Sequence, residues 1–392
     1  MTENKILQIP YGTRDVLPGE ARAKRVVEDK IAANFLAWGY DEVETPTFEY
    51  LDTFSLGGTG VTQESMKFLD RNNRTLVLRS DMTTPLARMV ATRLDVKQHV
   101  KRLCYIANIF RYEETQAGRQ CEFCQAGVEL MGAREPMADA EVLAIAITSL
   151  EAAGLTDFTV SVGHAAFLKG LMEEAKLSED KKEEIKELVL AHNAVGLENL
   201  VKGLRIKNNL KDLFTRFFFL QGDIKLLKEL TKVVKNKQSL SALENLLDIY
   251  ALAKAYNVEK YLTFDLSLIR NFDYYTGMVF EAYTPNIGFN ICGGGRYDTM
   301  MEAFGQNAPA TGFAMGIDRI ILARRRLGTF TKESTWDYFV AWKKSKQKEA
   351  LAQAAKLRDK GKTVKVATHE LNKDEAQASC KENNCRTLMF LE

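Results

Sequence analysis

The strand-like pattern of this chain stops near residue 164 and returns near residue 260. The interval 165–260 is rich in Lys, Glu and Leu at helical spacing and contains no proline. In "LSEDKKEEIKELVL", Ser178 reads as an N-cap with Glu179 and Asp180 in the first turn, where acidic groups complement the helix dipole. A proline-free helical block between two strand-bearing regions reads as an insertion into a β-containing body. Any sheet in that body draws its strands from both sides of the insertion.

The flanking strands are recognisable individually. "KRLCYIANIFRYE" and "CEFCQAGVELMG" read as strands joined by the polar loop "ETQAGRQ". Past residue 260 come "YLTFDLSLIR", "GMVFEAYT", "FNICGGG" and "TGFAMGI", the last feeding a helix, "DRIILARRRLG". Nearer the N-terminus, residues 19 to 38 read as an amphipathic helix ending near Gly39, and "DEVETPTFEY" as a short strand around Pro46. "FLDRNNRTLVLR" reads as a hairpin turning at Asn72 and Asn73. "TTPLARMVATRL" reads as a helix capped by Thr83 or Thr84, with Pro85 in its first turn. "EPMADAEVLAIAITSLEAAG" reads as a helix ended by Gly154. After Gly328 the pattern becomes β-α-β-α-β, a small α/β domain over 329–392 with a parallel sheet expected.

Composition excludes several classes. The chain has 392 residues, 46% hydrophobic and 27% charged, and a net charge of only +2, so no global basic surface points to nucleic acid. No apolar run reaches the length of a membrane span, and "MTENKILQIPYG" lacks the apolar core of a signal peptide. Six cysteines without regular spacing point to reduced thiols and a cytoplasmic location. Cys121 and Cys124 do not match the spacing of Cys380 and Cys385, so a half-buried strand is preferred over a four-sulfur zinc site.

The candidate chemistry lies in polar groups set among strands. In "LIRNFDYYTGMVFEAYTP", Arg270, Asp273, Tyr274 and Tyr275 interrupt a region that should pack a core. Arg111 sits on a strand beside a loop holding Arg119. A guanidinium facing a cleft suits phosphate or carboxylate, and a solvated strand face explains it as well. Gln125 and Glu129 lie four apart on one strand and therefore share a face. The run Gly293 to Gly295 fits close approach of a ligand or a tight strand end. It is neither a P-loop nor a dinucleotide fingerprint. Arg319 falls in the first turn of the helix after "TGFAMGI".

These pieces, in this order, resemble a class II aminoacyl-tRNA synthetase core of the histidyl type. "YGTRDVLP" looks like its opening. "TPTFE" resembles motif 1, "FRYEETQAGRQCEFCQAGVE" motif 2 and "GFAMGIDRI" motif 3, while "IRNFDYYTGMVFE" and "GGGRYD" resemble the two histidine-type signatures. The resemblance covers about residues 8 to 328. It implies an α+β fold: an antiparallel sheet flanked by helices, with the core in 1–164 and 261–328, the helical insertion in 165–260 and a truncated C-terminal α/β domain in 329–392. By position, Asp81, Thr83, Arg111, Gln125, Glu129, Arg270, Tyr274 and Tyr275 match a histidine-binding set. Arg111, Glu113, Arg119 and Arg319 match ATP contacts. Pro46 matches the motif 1 proline of a dimer interface. No metal is implied.

Three departures separate the chain from a charging enzyme. "RSDMT", Arg79 to Thr83, replaces Arg-Pro-Glu-Gly-Thr; Cys121 stands where a motif 2 arginine is expected; and the tail is shorter than an anticodon-binding domain. Residues 331–392 hold 13 Lys and Arg against 9 Asp and Glu, a net of +4 that leaves the remainder near −2, unpromising for tRNA. Asn271 and Phe272 also replace Gly-Leu beside Arg270. The pattern is similar to the synthetase paralogue family of ATP phosphoribosyltransferase regulatory subunits. That resemblance implies a non-catalytic subunit, L-histidine as effector rather than any cofactor, a short-form catalytic partner, a self-dimer and a hetero-octameric assembly. The alternative is an active histidyl-tRNA synthetase or a histidine-activating relative.

Overall fold

A computed structural model of the chain describes residues 7–58, 65–94, 96, 99–112, 120–269, 274–285, 287–330 and 335–392. Glu113, Arg119, Arg270 and Asp273 lie outside the described residues. Two compact units are distinguished: residues 1–15 with 27–330, and residues 16–26 with 331–392.

The first unit is organised by a nine-stranded sheet. From edge to edge its strands are Asp41–Glu42, Lys101–Phe110, Glu122–Met131, Ala310–Gly316, Cys292–Arg296, Met278–Tyr283, Thr159–His164, Leu262–Asp265 and Gln221–Gly222. The sheet is mixed: the pairings are antiparallel except Asp41–Glu42 with Lys101–Phe110 and Thr159–His164 with Leu262–Asp265. These two parallel pairs lie toward the edges, so the expected antiparallel arrangement holds through the centre. Within the insertion interval the regular elements are helices apart from the two-residue strand Gln221–Gly222, which pairs with Leu262–Asp265.

Pleating gives the two faces of the sheet different work. Along Glu122–Met131, Cys124, Ala126, Val128 and Leu130 point into the main apolar core. Phe123 and Met131 point the other way, into a smaller cluster with Met82, Leu86 and Tyr105. The main core is closed by helix Pro136–Ala152, which is apolar on nearly every side and buries twelve residues. Pro136 opens that helix at its first turn, and Gly154, at φ +87°, turns the chain away after it. Helix Lys237–Ala255 packs on it and on Ala165–Glu174, binding the helical interval to the sheet.

Capping corrects one expectation. Helix Thr83–Arg93 has Met82 at its N-cap, and the Thr84 N–H donates to Asp81 Oδ1 at 2.8 Å, so Asp81 rather than either threonine closes the end. Ser178 sits at the N-cap of Glu179–Leu190 without a side-chain capping bond. The hairpin Lys67–Leu69/Thr75–Leu78 turns through Asn73 at φ +60° and pairs with Phe48–Tyr50 in a separate small sheet. Cys121 and Cys124 are both buried, at 3% exposure each, rather than half-buried.

The second unit has a parallel sheet with Trp336–Trp342 central between Val364–Val366 and Cys385–Leu391. Helices Gln347–Asp359 and Lys373–Glu382 connect them in β-α-β-α-β order. Asn372 and Glu375 form a reciprocal capping box at the start of the second helix.

One buried ion pair ties the core helix to the sheet. Arg296 Nε donates to both oxygens of Asp139, at 3.1 and 3.0 Å, and Nη1 donates to Asp298 Oδ1 at 3.1 Å and to the Ala133 carbonyl at 3.0 Å. Asp139 is 1% exposed and Arg296 6%. Removing one partner strands a buried charge, which costs about 3–5 kcal/mol. Asp139→Ala should lower core stability by that order in urea unfolding followed by tryptophan fluorescence and circular dichroism. A loss under about 1 kcal/mol would show that the pair is not a principal tie.

Candidate functional site

The face of the sheet turned away from the main core carries a cavity of about 900 Å3. Its walls come from residues 56–58, the start of helix Thr83–Arg93, the central strands, residues 274–275 and residues 297–303. Asp81, Thr83, Arg111, Gln125, Glu129, Tyr274, Tyr275 and Arg319 all line this one cavity. The sequence separates them by more than two hundred residues, and the sheet brings them together. The remaining predicted residues, Arg270, Glu113 and Arg119, fall outside the described residues.

Glu129 is the deepest polar group. It is 2% exposed, accepts a hydrogen bond from Thr83 Oγ1 at 2.8 Å, and accepts a second from the Tyr297 hydroxyl. Burial pushes its carboxyl up to about 8, against these two bonds, because neither donor is a cation. Gly312 on the neighbouring strand makes room for it. A Cβ there would come within 1.9 Å of Glu129 Oε2. Gly127 does the same for Tyr105, whose hydroxyl would lie 2.4 Å from an added Cβ. Gln125 shares the Glu129 face by strand period and lies opposite Ala107 and Gly316.

The tyrosines form one wall. Tyr274 stacks on Tyr297 with ring centres 5.4 Å apart and meets Tyr275 edge-on at 4.8 Å. The Tyr274 hydroxyl reaches Met300 Sδ at 3.7 Å. Burial raises the Tyr274 and Tyr297 hydroxyls well above their ordinary value, so both remain neutral hydrogen-bonding groups.

The two arginines are held by backbone and aromatic rings. Arg111 Nε donates to the Ser80 carbonyl at 2.7 Å, with the guanidinium 5.5 Å from the Phe123 ring centre. Arg319 Nη1 donates to the Asn290 carbonyl at 2.8 Å and to Asn290 Oδ1 at 2.7 Å, with Phe289 5.0 Å away. The helix carrying Arg319 is steadied by its neighbour Asp318, which accepts from Arg14 Nη2 at 3.0 Å and from the Cys124 N–H at 3.0 Å. Asp81 has a structural duty as the cap described above. Burial raises its carboxyl, and the Thr84 bonds and Arg111 oppose that rise.

Sequence reasoning passed over Tyr297, Tyr105 and Asn290. Tyr297 lies inside the quoted "GGGRYD", where the glycines drew the attention; Tyr105 and Asn290 carry no local signal. Arg79 of "RSDMT" points away from the cavity lining. Its Nη1 donates to the Thr45 carbonyl at 2.8 Å and its Nε to the Asn108 carbonyl at 2.9 Å.

A protonated Glu129 makes stability depend on pH with a definite sign. The folded carboxyl titrates near 8 and the unfolded one near its ordinary 4.5. The native state therefore binds the extra proton between these values, and this contribution is complete below about pH 4.5 and lost as pH rises through 8. Glu129→Gln removes the dependence, so wild type should lose ground to the variant by up to about 1.4 kcal/mol per pH unit across that window. Urea midpoints of the two proteins at pH 5 and pH 8 measure it, and a gap that does not change with pH would refute the buried neutral carboxyl.

Comparison with known proteins places the chain. The family model described as histidyl-tRNA synthetase matches residues 12–320. The ATP phosphoribosyltransferase regulatory subunit of Acetivibrio thermocellus is 40% identical over 367 residues, covering 93% of this chain and 88% of that protein. That of Moorella thermoacetica is 39% identical over 379 residues, 96% of each. A crystal structure from Bacillus halodurans C, described as an ATP phosphoribosyltransferase regulatory subunit/histidyl-tRNA synthetase, superposes with a TM-score of 0.88 at 31% identity, covering 99% of both chains. The chain belongs to the family of ATP phosphoribosyltransferase regulatory subunits, built on the histidyl-tRNA synthetase fold.

Proposed function

We propose that this chain supports a short-form ATP phosphoribosyltransferase catalytic subunit and carries free L-histidine, as a feedback effector, in the sheet-face cavity. The observation that carries the reading is the convergence of a buried carboxyl, an amide and a tyrosine wall in one cavity of a chain with these relatives. In this reading Glu129 and Gln125 take the α-ammonium, Thr83 orients Glu129, and Tyr274 and Tyr275 wall the imidazole. Arg111 takes the carboxylate, joined by Arg270 on the strength of the family resemblance. No cofactor is needed. For feedback, histidine must bind two states of the assembly with different affinity.

The assembly in this reading is a self-dimer through the motif 1 region around Pro46, combined with catalytic subunits into a hetero-octamer. Apolar exposure on the small sheet supports a contact there, with Phe48 50% and Leu69 63% exposed. No helix among the described residues is long and apolar enough to cross a membrane, which agrees with a cytoplasmic location.

The purified chain alone should transfer no phosphoribosyl group, and adding a short catalytic subunit should give histidine-sensitive activity. Failure of the two to associate by light scattering would sink the regulatory reading. Calorimetry tests the cavity: Gln125→Ala should weaken histidine binding by about 1.5–3 kcal/mol, the loss of a hydrogen bond to a charged group. At pH 7, an ammonium meeting Glu129 ionises the carboxyl, so binding should release a proton and its heat should vary with buffer. In Glu129→Gln that variation should vanish; if it persists unchanged, Glu129 does not face the ammonium.

A second reading, histidine activation, is favoured by Arg111 and Arg319 lining the same cavity, where they could share a phosphate. Histidine-dependent exchange of pyrophosphate into ATP tests it, and robust tRNA charging would overturn the regulatory reading.

A further inference from the structure

The parallel sheet of the second unit ends differently on its two sides. Trp336–Trp342 is central, so Val364–Val366 and Cys385–Leu391 are both edge strands. An edge strand offers unpaired backbone groups to any other strand, and proteins guard against this by keeping edges short, charged or interrupted by proline. Val364–Val366 fits that description, being three residues long with Lys365 at its centre. Cys385–Leu391 does not. It has seven residues, no proline, and four successive apolar residues, Leu388 to Leu391, each only half-buried. Among the described residues no strand pairs with its outer side.

The ladder fixes which groups are on offer. The Lys343 N–H donates to the Leu391 carbonyl at 2.9 Å, so Leu391 turns its carbonyl toward the central strand. By the alternation of a strand Met389 and Thr387 do the same, and the N–H and C=O groups of Leu388 and Phe390 point outward. A strand laid antiparallel on this edge must bond to these two residues. Pairing with its own copy about a twofold axis can do so with Leu388 opposite Leu388, Leu388 opposite Phe390, or Phe390 opposite Phe390. The second register sets Met389 opposite itself and Arg386 opposite Glu392, twice in each interface. The other two set Arg386 opposite Phe390 or Glu392 opposite Leu388, so neither matches the charges. Both charges are accessible. The Arg386 side chain is 67% exposed, with Asp337 a long 4.0 Å away, and Glu392 is exposed.

We propose that Cys385–Leu391 joins two copies of this chain edge to edge, as an antiparallel self-pair centred on Met389. The two small sheets then continue as one, and Arg386 with Glu392 of the second copy fixes the register. None of these residues lines the sheet-face cavity or belongs to the small sheet around Phe48, so the contact stands apart from the histidine reading and from the motif 1 dimer. One strand pair covers less surface than the about 1,200–2,000 Å2 of a stable interface, so the association is weak and reversible.

The experiment uses the full chain. Met389→Cys in a glutathione redox buffer should form an intermolecular disulfide, because residues facing each other in a non-hydrogen-bonded antiparallel pair have Cα atoms about 4.5 Å apart, within disulfide reach. Adding Leu388→Pro should abolish the cross-link. It removes an outward N–H that the self-pair needs and the sheet of a single chain does not use. Sedimentation over a concentration series should show an association step that Arg386→Glu and Glu392→Arg each weaken about tenfold, because two attractions per interface become repulsions. The double exchange should restore it. Circular dichroism checks each fold, and the exchanges, made on exposed side chains, decide the matter if the proline variant does not fold. The proposal is overturned if Met389→Cys cross-links no more readily than it does with Leu388→Pro, or if the double exchange associates no better than either single variant.

Discussion

The alternation of side chains along Glu122–Met131 is the constraint on which this architecture rests. With a period of two, the strand must send Cys124, Ala126, Val128 and Leu130 into the core and Phe123, Gln125, Glu129 and Met131 to the opposite side. A one-residue slip would put Glu129 among the apolar side chains behind the sheet and Val128 in the cavity. The long pairings on both edges of this strand, with Lys101–Phe110 and with Ala310–Gly316, hold the register. The buried carboxyl is therefore secured by the same packing that stabilises the core.

Placing a carboxyl at 2% exposure without a cation is expensive, and the structure meets the cost by neutralising it. Two hydroxyl donors, Thr83 and Tyr297, satisfy its oxygens, and burial keeps the proton on. The contrast with Asp139 is instructive. That carboxyl is equally buried but faces Arg296, so it serves as a structural tie. One acidic group is paired and silent, the other unpaired by any cation and positioned to respond to one.

The first unit holds two cavities with no lining residue in common. Tyr275 and Tyr297 line the first, while their chain neighbours Thr276 and Arg296 line the second. The Thr276 N–H donates to the Arg296 carbonyl at 2.8 Å and the Asp298 N–H to Thr276 Oγ1 at 3.0 Å, so the two segments are joined by hydrogen bonds. Much of this was legible beforehand, because Gln125 and Glu129 share a face by arithmetic and the quoted signatures carried Tyr274 and Tyr275. Tyr105 and Tyr297 were not legible, because an aromatic residue in a strand looks the same whether it fills a core or walls a cavity.

Local pattern in the sequence was enough for the order of elements, the helical interval between two groups of strands, the small β-α-β-α-β unit and the family. Those features rest on periodicity, turn residues and contiguous motifs, which act over short separations. The tertiary structure alone decided that Asp81 caps a helix instead of Thr83 or Thr84, and that the sheet is mixed at its edges. It also decided that burial raises the Glu129 carboxyl and that a second cavity draws on none of the first one's lining. Each of these depends on which distant residue comes within a few ångströms, and on how much water is excluded there, and no local pattern encodes either.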